Sequence, residues 1–235
     1  MKVELIDSMG SDLSVCNAAR VSFAKESDWE NNNSIEYGFT KNLNEKDQKL
    51  ISYLANHGHW TPFAHAFLSF RIKAPIFVAR QLVKHQVGLA WNEVSRRYVD
   101  DEPEFWFPEV WRGKPVNAKQ GSSDQVITKI SFTDVGTNER WSMSLESAAF
   151  QQTEQALQWY QEAINAGVAP EQARMVLPQN TMTEWIWSGS LAAFARVVRL
   201  RTDVHAQLET QEIAKQINQL VPQEFEHSWQ ALLNN

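Results

Sequence analysis

The chain has 235 residues, of which 43% are hydrophobic and 21% charged, so we expect a single domain over residues 1–235. It contains no apolar run of about 18 residues and no secretory signal pattern, which disfavours a membrane protein and predicts a cytoplasmic location. The net charge of −6 disfavours binding to nucleic acids, because contact with a phosphate backbone needs a broad basic face.

The first part of the chain predicts a strand, two helices, a strand and a third helix, over residues 2–7, 12–23, 44–56, 68–73 and 76–86. Asn44 is a suitable N-cap for the second helix, because its side chain can accept from a free N–H of the first turn. Residues 68–73 alternate between apolar and polar, which is the period of a half-buried strand. Pro75 suits the first turn of the third helix, and we expect Gly88 to end it.

The rest of the chain predicts mainly helices. Residues 91–98 should form a loop that leads into an extended segment, and the polar, weakly patterned residues 111–141 indicate a flexible excursion or a hairpin. The elements expected after these are helices over 144–166, 170–178, 190–200 and 205–220 and from 222 onward, with a strand over 181–187. Because strands recur between more numerous helices, the fold class is α+β or mixed α/β.

Positive charge is concentrated between Arg71 and Tyr98, where there are six cationic residues and a single acidic residue, Glu93. This segment carries +5 and the rest of the chain −11, which suits a pocket for a small anionic ligand. Ser95-Arg96-Arg97 can offer a hydroxyl and a guanidinium fork to a phosphate, and the preceding Asn92-Glu93 can hydrogen-bond the edge of a base or ribose. From charge alone, a solvated basic loop is the alternative interpretation.

The predicted helix over residues 76–86 brings further polar groups toward the start of the loop over residues 91–98. Gln81 and His85 lie four residues apart and should share one face of the helix, with Lys84 beside them. The chain has no Gly-rich dinucleotide-binding motif and no phosphate-binding loop. A redox cofactor would therefore bind through another kind of site.

For the histidines and the cysteine we prefer a structural interpretation to a metal-binding or catalytic one. His57, His59 and His65 could share a metal ion, but aromatic residues dominate their segment and no cysteine or carboxylate is close, so we expect no metal site. Cys16 has no disulfide partner, which indicates a reducing compartment. It could act as a nucleophile, but the small and apolar residues around it favour a buried helical position.

Several aromatic residues lie within the cationic segment or follow it. They could stack on a heterocycle, but in a chain with 10 tryptophans ordinary core packing is the better interpretation. These residues are Trp91, Phe105, Trp106, Phe107 and Trp111.

Residues 84–98 resemble the fingerprint of the flavin-dependent thymidylate synthases. That fingerprint reads Arg-His-Arg, two residues, Ser, one residue, Asn-Glu, one residue, Ser, one residue, Arg-Tyr. Its second half is intact as Asn92-Glu93-Val94-Ser95-Arg96-Arg97-Tyr98, its first half is changed to Lys84-His85-Gln86, and the linker Val87–Trp91 is one residue longer. Five blocks elsewhere resemble the family in the same order, over residues 17–23, 57–63, 73–81, 173–178 and 200–207.

The resemblance implies reductive methylation of dUMP to dTMP, with methylenetetrahydrofolate as carbon donor, FAD as hydride carrier and NADPH as reductant. It also implies a central sheet flanked by helices, in a homotetramer whose active sites are shared between subunits. Such chemistry needs no enzyme thiol. It would leave Cys16 without a catalytic role.

By position, the resemblance also implies the site residues. Those for dUMP are Gln81, Lys84, Glu93, Ser95, Arg96, Arg97, Arg174 and Arg201. Those for FAD are Thr61, Lys84, His85, Gln86, Asn92, Glu93, Ser190, Arg196 and His205. Arg201 and His59 would be catalytic, Arg201 by favouring the uracil ring ionised at N3, which makes C5 a nucleophile.

The chain departs from the family pattern near the flavin. Lys84 keeps the charge of arginine without its bidentate fork, and Gln86 lacks that charge, so we expect weaker flavin binding. Arg196 can compensate through charge. Gln86 and the longer linker motivate a second hypothesis, a flavin- or nucleotide-binding homologue that has lost methyl transfer. A third, a nucleic-acid-binding module that uses Arg96 and Arg97, is disfavoured by the net charge.

Overall fold

The computed structural model describes residues 1–31, 41–99, 101–116 and 121–235. Its strands are β1 Lys2–Met9, β2 Glu30–Asn31, β3 Lys41–Asn42, β4 Phe67–Pro75, β5 Leu89–Glu93, β6 Arg112–Gly113, β7 Ser123–Val126, β8 Lys129–Thr133, β9 Arg140–Ser144 and β10 Met182–Ser190. Its helices are α1 Asp12–Arg20, α2 Glu45–Asn56, α3 Ile76–Leu82, α4 Leu145–Asn165, α5 Pro170–Ala173, α6 Leu191–Arg201, α7 Leu208–Leu220 and α8 Glu226–Leu233. Among the helices in these ranges, none is long and apolar enough to cross a membrane.

Four antiparallel strands form the central sheet, in the order β1-β4-β10-β5. β4 leads directly into α3, and β10 leads directly into α6. After α3 the chain passes β10 and forms β5 at the edge of the sheet, where Leu89 of β5 pairs with Gly189 of β10. The turn between α3 and β5 therefore lies beside the start of α6.

The core forms between this sheet and the helices that follow its strands. Phe194 on α6 packs edge-on against Phe70 of β4 at 5.0 Å and against Trp187 of β10 at 5.3 Å between ring centroids. Buried side chains of the same apolar cluster come from both sheet and helices, among them Val15, Leu68, Ile72, Trp185, Val197, Ile213, Ile217 and Trp229. The mixed helix and sheet class predicted from the sequence is confirmed.

Most predicted elements are confirmed within a few residues. The predicted strands appear as β1, β4 and β10, and the predicted helices appear as α1, α2 and α4 to α8. Asn44 does cap α2, since its side chain accepts from the N–H of Asp47 at 2.9 Å. Helix α7 begins at Leu208, later than the predicted residue 205, because Asp203 holds His205 and Ala206 in a turn.

The predicted end of the third helix is wrong. α3 ends at Leu82, so neither Gln86 nor Gly88 marks its terminus, and Gln81 and His85 do not share a helical face. The next residues form a turn that tertiary contacts hold in place: His85 accepts from Arg201 of α6. Gly88 has a positive φ of +76° and belongs to the entry into β5.

The prediction of a loop over residues 91–98 is also partly wrong. Trp91, Asn92 and Glu93 belong to β5 and pair with Trp187, Ile186 and Trp185 of β10. Trp91 stacks on Trp185 at 4.3 Å between ring centroids. The cross-strand aromatic packing explains the strand, and it places Trp91 against the core as expected.

Residues 111–144 contain two antiparallel pairs of strands, β6 with β7 and β8 with β9. The hairpin alternative for this segment is therefore confirmed for the residues described. Part of the predicted excursion, residues 117–120, lies outside them.

Candidate functional site

A cavity of about 700 Å³ lies between the ends of α3 and α6 and the segment before α7. Its cationic lining residues are Arg80, Lys84, Arg112, Arg199 and Arg201, and Asp203 contributes a carboxylate. This surplus of positive charge attracts small anions. Of the predicted site residues, the cavity brings together Gln81, Lys84, Arg201 and His205.

Arg201, at the end of α6, is held by His85. The Nε of Arg201 donates to Nε2 of His85 at 2.8 Å. Burial, followed by the positive charges of Arg201 and Arg196, lowers the pKa of His85 to about 4. The imidazole is therefore neutral at pH 7 and offers Nε2 as an acceptor, with its proton on Nδ1. This contact orients the guanidinium and leaves its two terminal nitrogens to act as donors.

Gln81 ties the end of α3 to the start of α7. Its side-chain amide hydrogen-bonds to Gln207, and its Oε1 accepts from the hydroxyl of Thr210 at 3.1 Å. Thr210 is fully buried. The wall of the cavity at Gln81 is therefore fixed by contacts that no local sequence pattern reports.

The turn between α3 and β5 is fixed by α6. Nη2 of Arg196 donates to the carbonyl of Val87 at 2.6 Å, and the backbone N–H of Ser190 donates to the carbonyl of Gly88 at 3.0 Å. The hydroxyl of Ser190 caps α6 by accepting from the N–H three residues later. The predicted flavin-binding residues gathered at this turn are Lys84, His85, Gln86, Ser190 and Arg196.

Asn92 and Glu93 are exposed on β5, the edge strand of the sheet. Oε1 of Glu93 accepts from the hydroxyl of Thr183 at 2.7 Å, and Oε2 accepts from Nε1 of Trp91 at 3.1 Å. Glu93 thus has a fixed orientation on the face of the strand that also carries Trp91. It can still accept further hydrogen bonds, because each carboxylate oxygen has two lone-pair sites.

The residues after β5 form a tight polar turn. Arg96 donates to the carbonyl of Asp101 at 2.8 Å. Arg97 donates to the hydroxyl of Tyr98 at 2.9 Å, and its Nε lies 3.4 Å from Oγ of Ser95. Arg97 is exposed, whereas Arg96 is partly buried. The predicted phosphate-binding set is therefore one local cluster, and it does not line the cavity.

Three predicted site residues lie elsewhere on the chain. His59 and Thr61 are exposed beyond the end of α2, where the ring of His59 lies 6.2 Å from that of Tyr53. Arg174 is exposed on a 3₁₀ turn after α5 and donates to the carbonyl of Glu171 at 3.3 Å. None of the three lines the cavity in the part of the chain that the structure describes.

Sequence reasoning missed several residues that line the cavity or contact its lining. Arg112 and Glu209 form an ion pair at 2.6 Å that joins β6 to α7, yet Arg112 stands in a weakly patterned segment. Glu209 has the pattern of an ordinary acidic residue in the first turn of a helix. Arg80 and Arg199 line the cavity as well, and only the local excess of positive charge pointed toward Arg80.

Cys16 is completely buried on α1, as predicted. Burial raises the pKa of its thiol to about 12, and the charges of Asp47 and Asp12 act in the same direction. A thiolate would be strongly disfavoured there, so the position does not suit a nucleophile. Within the described ranges, no group of three or more histidine, cysteine, aspartate or glutamate side chains is arranged to hold a metal ion.

The chain is similar to known proteins over nearly its whole length. Residues 4–226 match the model of the thymidylate synthase complementing protein family. The flavin-dependent thymidylate synthase of Thermotoga neapolitana is 36% identical over 231 residues, which cover 98% of this chain and 90% of that protein. The enzyme of the same name from Thermosipho africanus is 35% identical with the same coverage.

The fold is also similar to a solved structure. PolB of Streptomyces cacaoi, a UMP/dUMP methylase crystallised with 5-Br dUMP, superimposes with a TM-score of 0.73 and 28% identity. The match covers 99% of this chain and 94% of PolB. This coverage includes the residues of the sheet, of the cavity lining and of the turn after α3. The chain therefore belongs to the thymidylate synthase complementing protein family, the flavin-dependent thymidylate synthases.

Proposed function

We propose that this protein catalyses the reductive methylation of dUMP to dTMP, with methylenetetrahydrofolate as carbon donor, FAD as hydride carrier and NADPH as reductant. Family membership over residues 4–226 supports this activity most directly. The methylase PolB, which has a similar fold, binds a brominated analogue of dUMP in its crystal structure. In the overall reaction the C5–H bond of uracil is replaced by a bond to a methyl group, and the C5 proton is released.

In this proposal the cavity binds dUMP. Gln81, Lys84 and Arg201 line it and provide donors for the nucleotide. Arg201 acts as the electrostatic catalyst: its guanidinium, oriented by neutral His85, stabilises the negative charge that develops on the uracil ring. Because the guanidinium is already oriented, little reorganisation is needed when that charge forms. The remaining proposed dUMP residues are Glu93, Ser95, Arg96, Arg97 and Arg174.

The residues at the turn between α3 and β5 fit a flavin nucleotide. Lys84 and Gln86 are exposed there, and Arg196 adds positive charge beside them, as a diphosphate requires. When bound, FAD supplies hydride transfer, and the protein supplies position and charge. The other proposed FAD residues are Thr61, His85, Asn92, Glu93, Ser190 and His205, and His59 is proposed to act near the flavin.

We further propose that each chain is one domain and that four chains assemble into a cytoplasmic homotetramer with shared active sites. The positions of the proposed residues support sharing. Arg174 and Arg97 are exposed, Ser95 and Arg96 are partly buried, and all four lie outside the cavity that contains Arg201. A complete site would form if a second copy brought these residues to the mouth of the cavity.

Tritium release tests the proposed activity. Protein loaded with FAD should release tritium from 5-tritiated dUMP when methylenetetrahydrofolate and NADPH are added. Arg201→Ala should lower the rate by about 100-fold or more, because it removes a preorganised donor. Cys16→Ala should keep nearly full activity.

Two outcomes would contradict the proposal. Bound FAD without tritium release would favour a flavin- or nucleotide-binding homologue that has lost methyl transfer. Loss of activity in a folded Cys16→Ala variant would contradict a mechanism without an enzyme thiol.

A further inference from the structure

Arg112 reaches from β6 across the cavity wall to α7. Its Nη2 donates to Oε1 of Glu209 at 2.6 Å, and its Nε donates to the hydroxyl of Ser122 at 2.8 Å. Both contacts lie on one side of the planar guanidinium. Within the described residues, Nη1 has no hydrogen-bond partner. In the part of the chain that the structure describes, Arg112 is therefore an oriented cation whose Nη1 keeps both N–H groups for a ligand.

Glu209 is an unusual partner for a surface arginine, because its side chain is only 7% exposed. Burial raises the pKa of this carboxyl, but hydrogen bonds from Arg112, from its own backbone and from Gln207 outweigh burial, and the net pKa is lowered. Glu209 is thus ionised at neutral pH. A buried ion pair is a weak source of stability, because desolvation offsets much of the attraction between the charges. Its more specific effect is to fix where the guanidinium lies.

The surroundings of Arg112 indicate what its free donors could bind. Arg112 lines the same cavity as Lys84, Arg201 and Gln81, which we propose to bind dUMP. Glu209 neutralises one cation, yet the cavity keeps an excess of positive charge. A guanidinium that offers two N–H groups beside other cations suits a phosphate oxygen better than a neutral ligand.

We propose that Arg112 is an additional phosphate-binding residue of the nucleotide site and that Glu209 is its positioning residue. This inference rests on the proposed function, since the phosphate concerned is that of dUMP. The contact would add to the donors inferred from family resemblance.

Titration of the FAD-loaded protein with dUMP and with deoxyuridine tests the proposal. Arg112→Ala should raise the dissociation constant for dUMP by about 10- to 100-fold, the effect of losing a hydrogen bond between charged groups. The same variant should leave the dissociation constant for deoxyuridine nearly unchanged, because deoxyuridine has no phosphate. Arg112→Lys should recover part of the affinity. Arg140→Ala, which removes an exposed arginine of β9 outside the cavity, is the matched control and should bind dUMP normally.

Glu209→Gln tests the positioning role. It keeps the size of the side chain and removes its charge, so it should weaken dUMP binding by a smaller factor than Arg112→Ala and raise KM more than it lowers kcat. Lower melting temperatures in both variants, together with wild-type affinity for dUMP, would indicate a purely structural role for the pair. That result would overturn the proposal. Equal losses of affinity for dUMP and deoxyuridine would also overturn the proposal, because they would show that Arg112 contacts the nucleoside and not the phosphate. If the wild-type protein does not bind dUMP, the proposed function itself is wrong.

Discussion

His85 lies between two arginines, and this position explains its chemistry. A protonated imidazole would face Arg201 and Arg196, and it could not accept the hydrogen bond that Arg201 donates. The folded protein therefore favours the neutral form. The family resemblance suggested a flavin contact for His85, whereas the structure adds an interaction with the proposed catalytic arginine. Both roles are compatible, because one uses Nε2 and the other can use Nδ1.

The lowered pKa of His85 predicts a pH dependence of stability. Since its pKa is about 4 in the folded protein and 6.5 in the reference state, the unfolded chain binds more protons between these values. Stability is thus fully present above pH 6.5 and is lost as the pH falls toward 4. Solvent screening at this half-buried site limits the loss to about 1 kcal/mol between pH 7.5 and 5. Urea unfolding at the two pH values measures it.

A pair of histidine variants isolates this effect. His85→Gln removes the titrating group, so its free energy of unfolding should fall less than that of the wild type between pH 7.5 and 5. His65→Gln, which changes an exposed histidine, should keep the wild-type pH dependence. Identical pH dependence in His85→Gln and the wild type would show that His85 is not the group responsible.

At the scale of elements, the pairing of β5 with β10 positions much of the candidate site. The strands approach closely where Leu89 pairs with Gly189. A Cβ at Gly189 would overlap the carbonyl oxygen of Gly88 and approach Cα of Leu89 to 3.1 Å. The same contact sets the end of the turn that carries Lys84 and His85. A glycine is therefore required at position 189 by the backbone of the neighbouring strand.

Gly189→Ala should separate β5 from β10. We expect a destabilisation of about 1–3 kcal/mol, because backbone atoms must move to admit the methyl group. Binding of FAD should also weaken, since the displaced turn carries its proposed contacts. Thermal unfolding and flavin titration provide the measurements. The control is Gly136→Ala, where a Cβ would meet only Oδ1 of Asp134 at 3.4 Å; a similar loss in this control would count against the explanation.

At the scale of the whole molecule, the proposed site residues are dispersed, since several of them do not line the cavity that contains Arg201. Arg201 lies in the cavity, while Arg174 is exposed after α5 and Ser95–Arg97 follow the edge strand. Their family likeness is strong, so dispersion argues for assembly and not against the residue assignments. Size determination by light scattering should give a mass of four chains.

Mixing two inactive variants tests whether active sites are shared. Arg201→Ala and Arg174→Ala should each be nearly inactive alone. If one site takes Arg201 from one chain and Arg174 from another, co-refolded mixtures should regain activity, with about a quarter of the sites intact after random assembly. Sites built within single chains would give no recovery. Two variants of the same residue, Arg201→Ala with Arg201→Gln, form the negative control.

The sequence alone was sufficient where local patterns carry the information. Alternation at residues 68–73 and the cap at Asn44 report their own elements, because side-chain periodicity and capping act within a few residues. The family was recognisable for the same reason: its motif at Asn92–Tyr98 is a contiguous block. The burial of Cys16 also followed from its neighbours.

Only the tertiary structure decided which of these residues meet. The early end of α3, the strand at Trp91–Glu93 and the contact of His85 with Arg201 depend on packing against β10 and α6. The pairing of Arg112 with Glu209 joins residues 97 positions apart. Such contacts gain their energy from burial and charge in the folded state and leave no periodic mark on the chain. The sequence therefore determined the elements and the family, and the folded structure determined the geometry of the cavity.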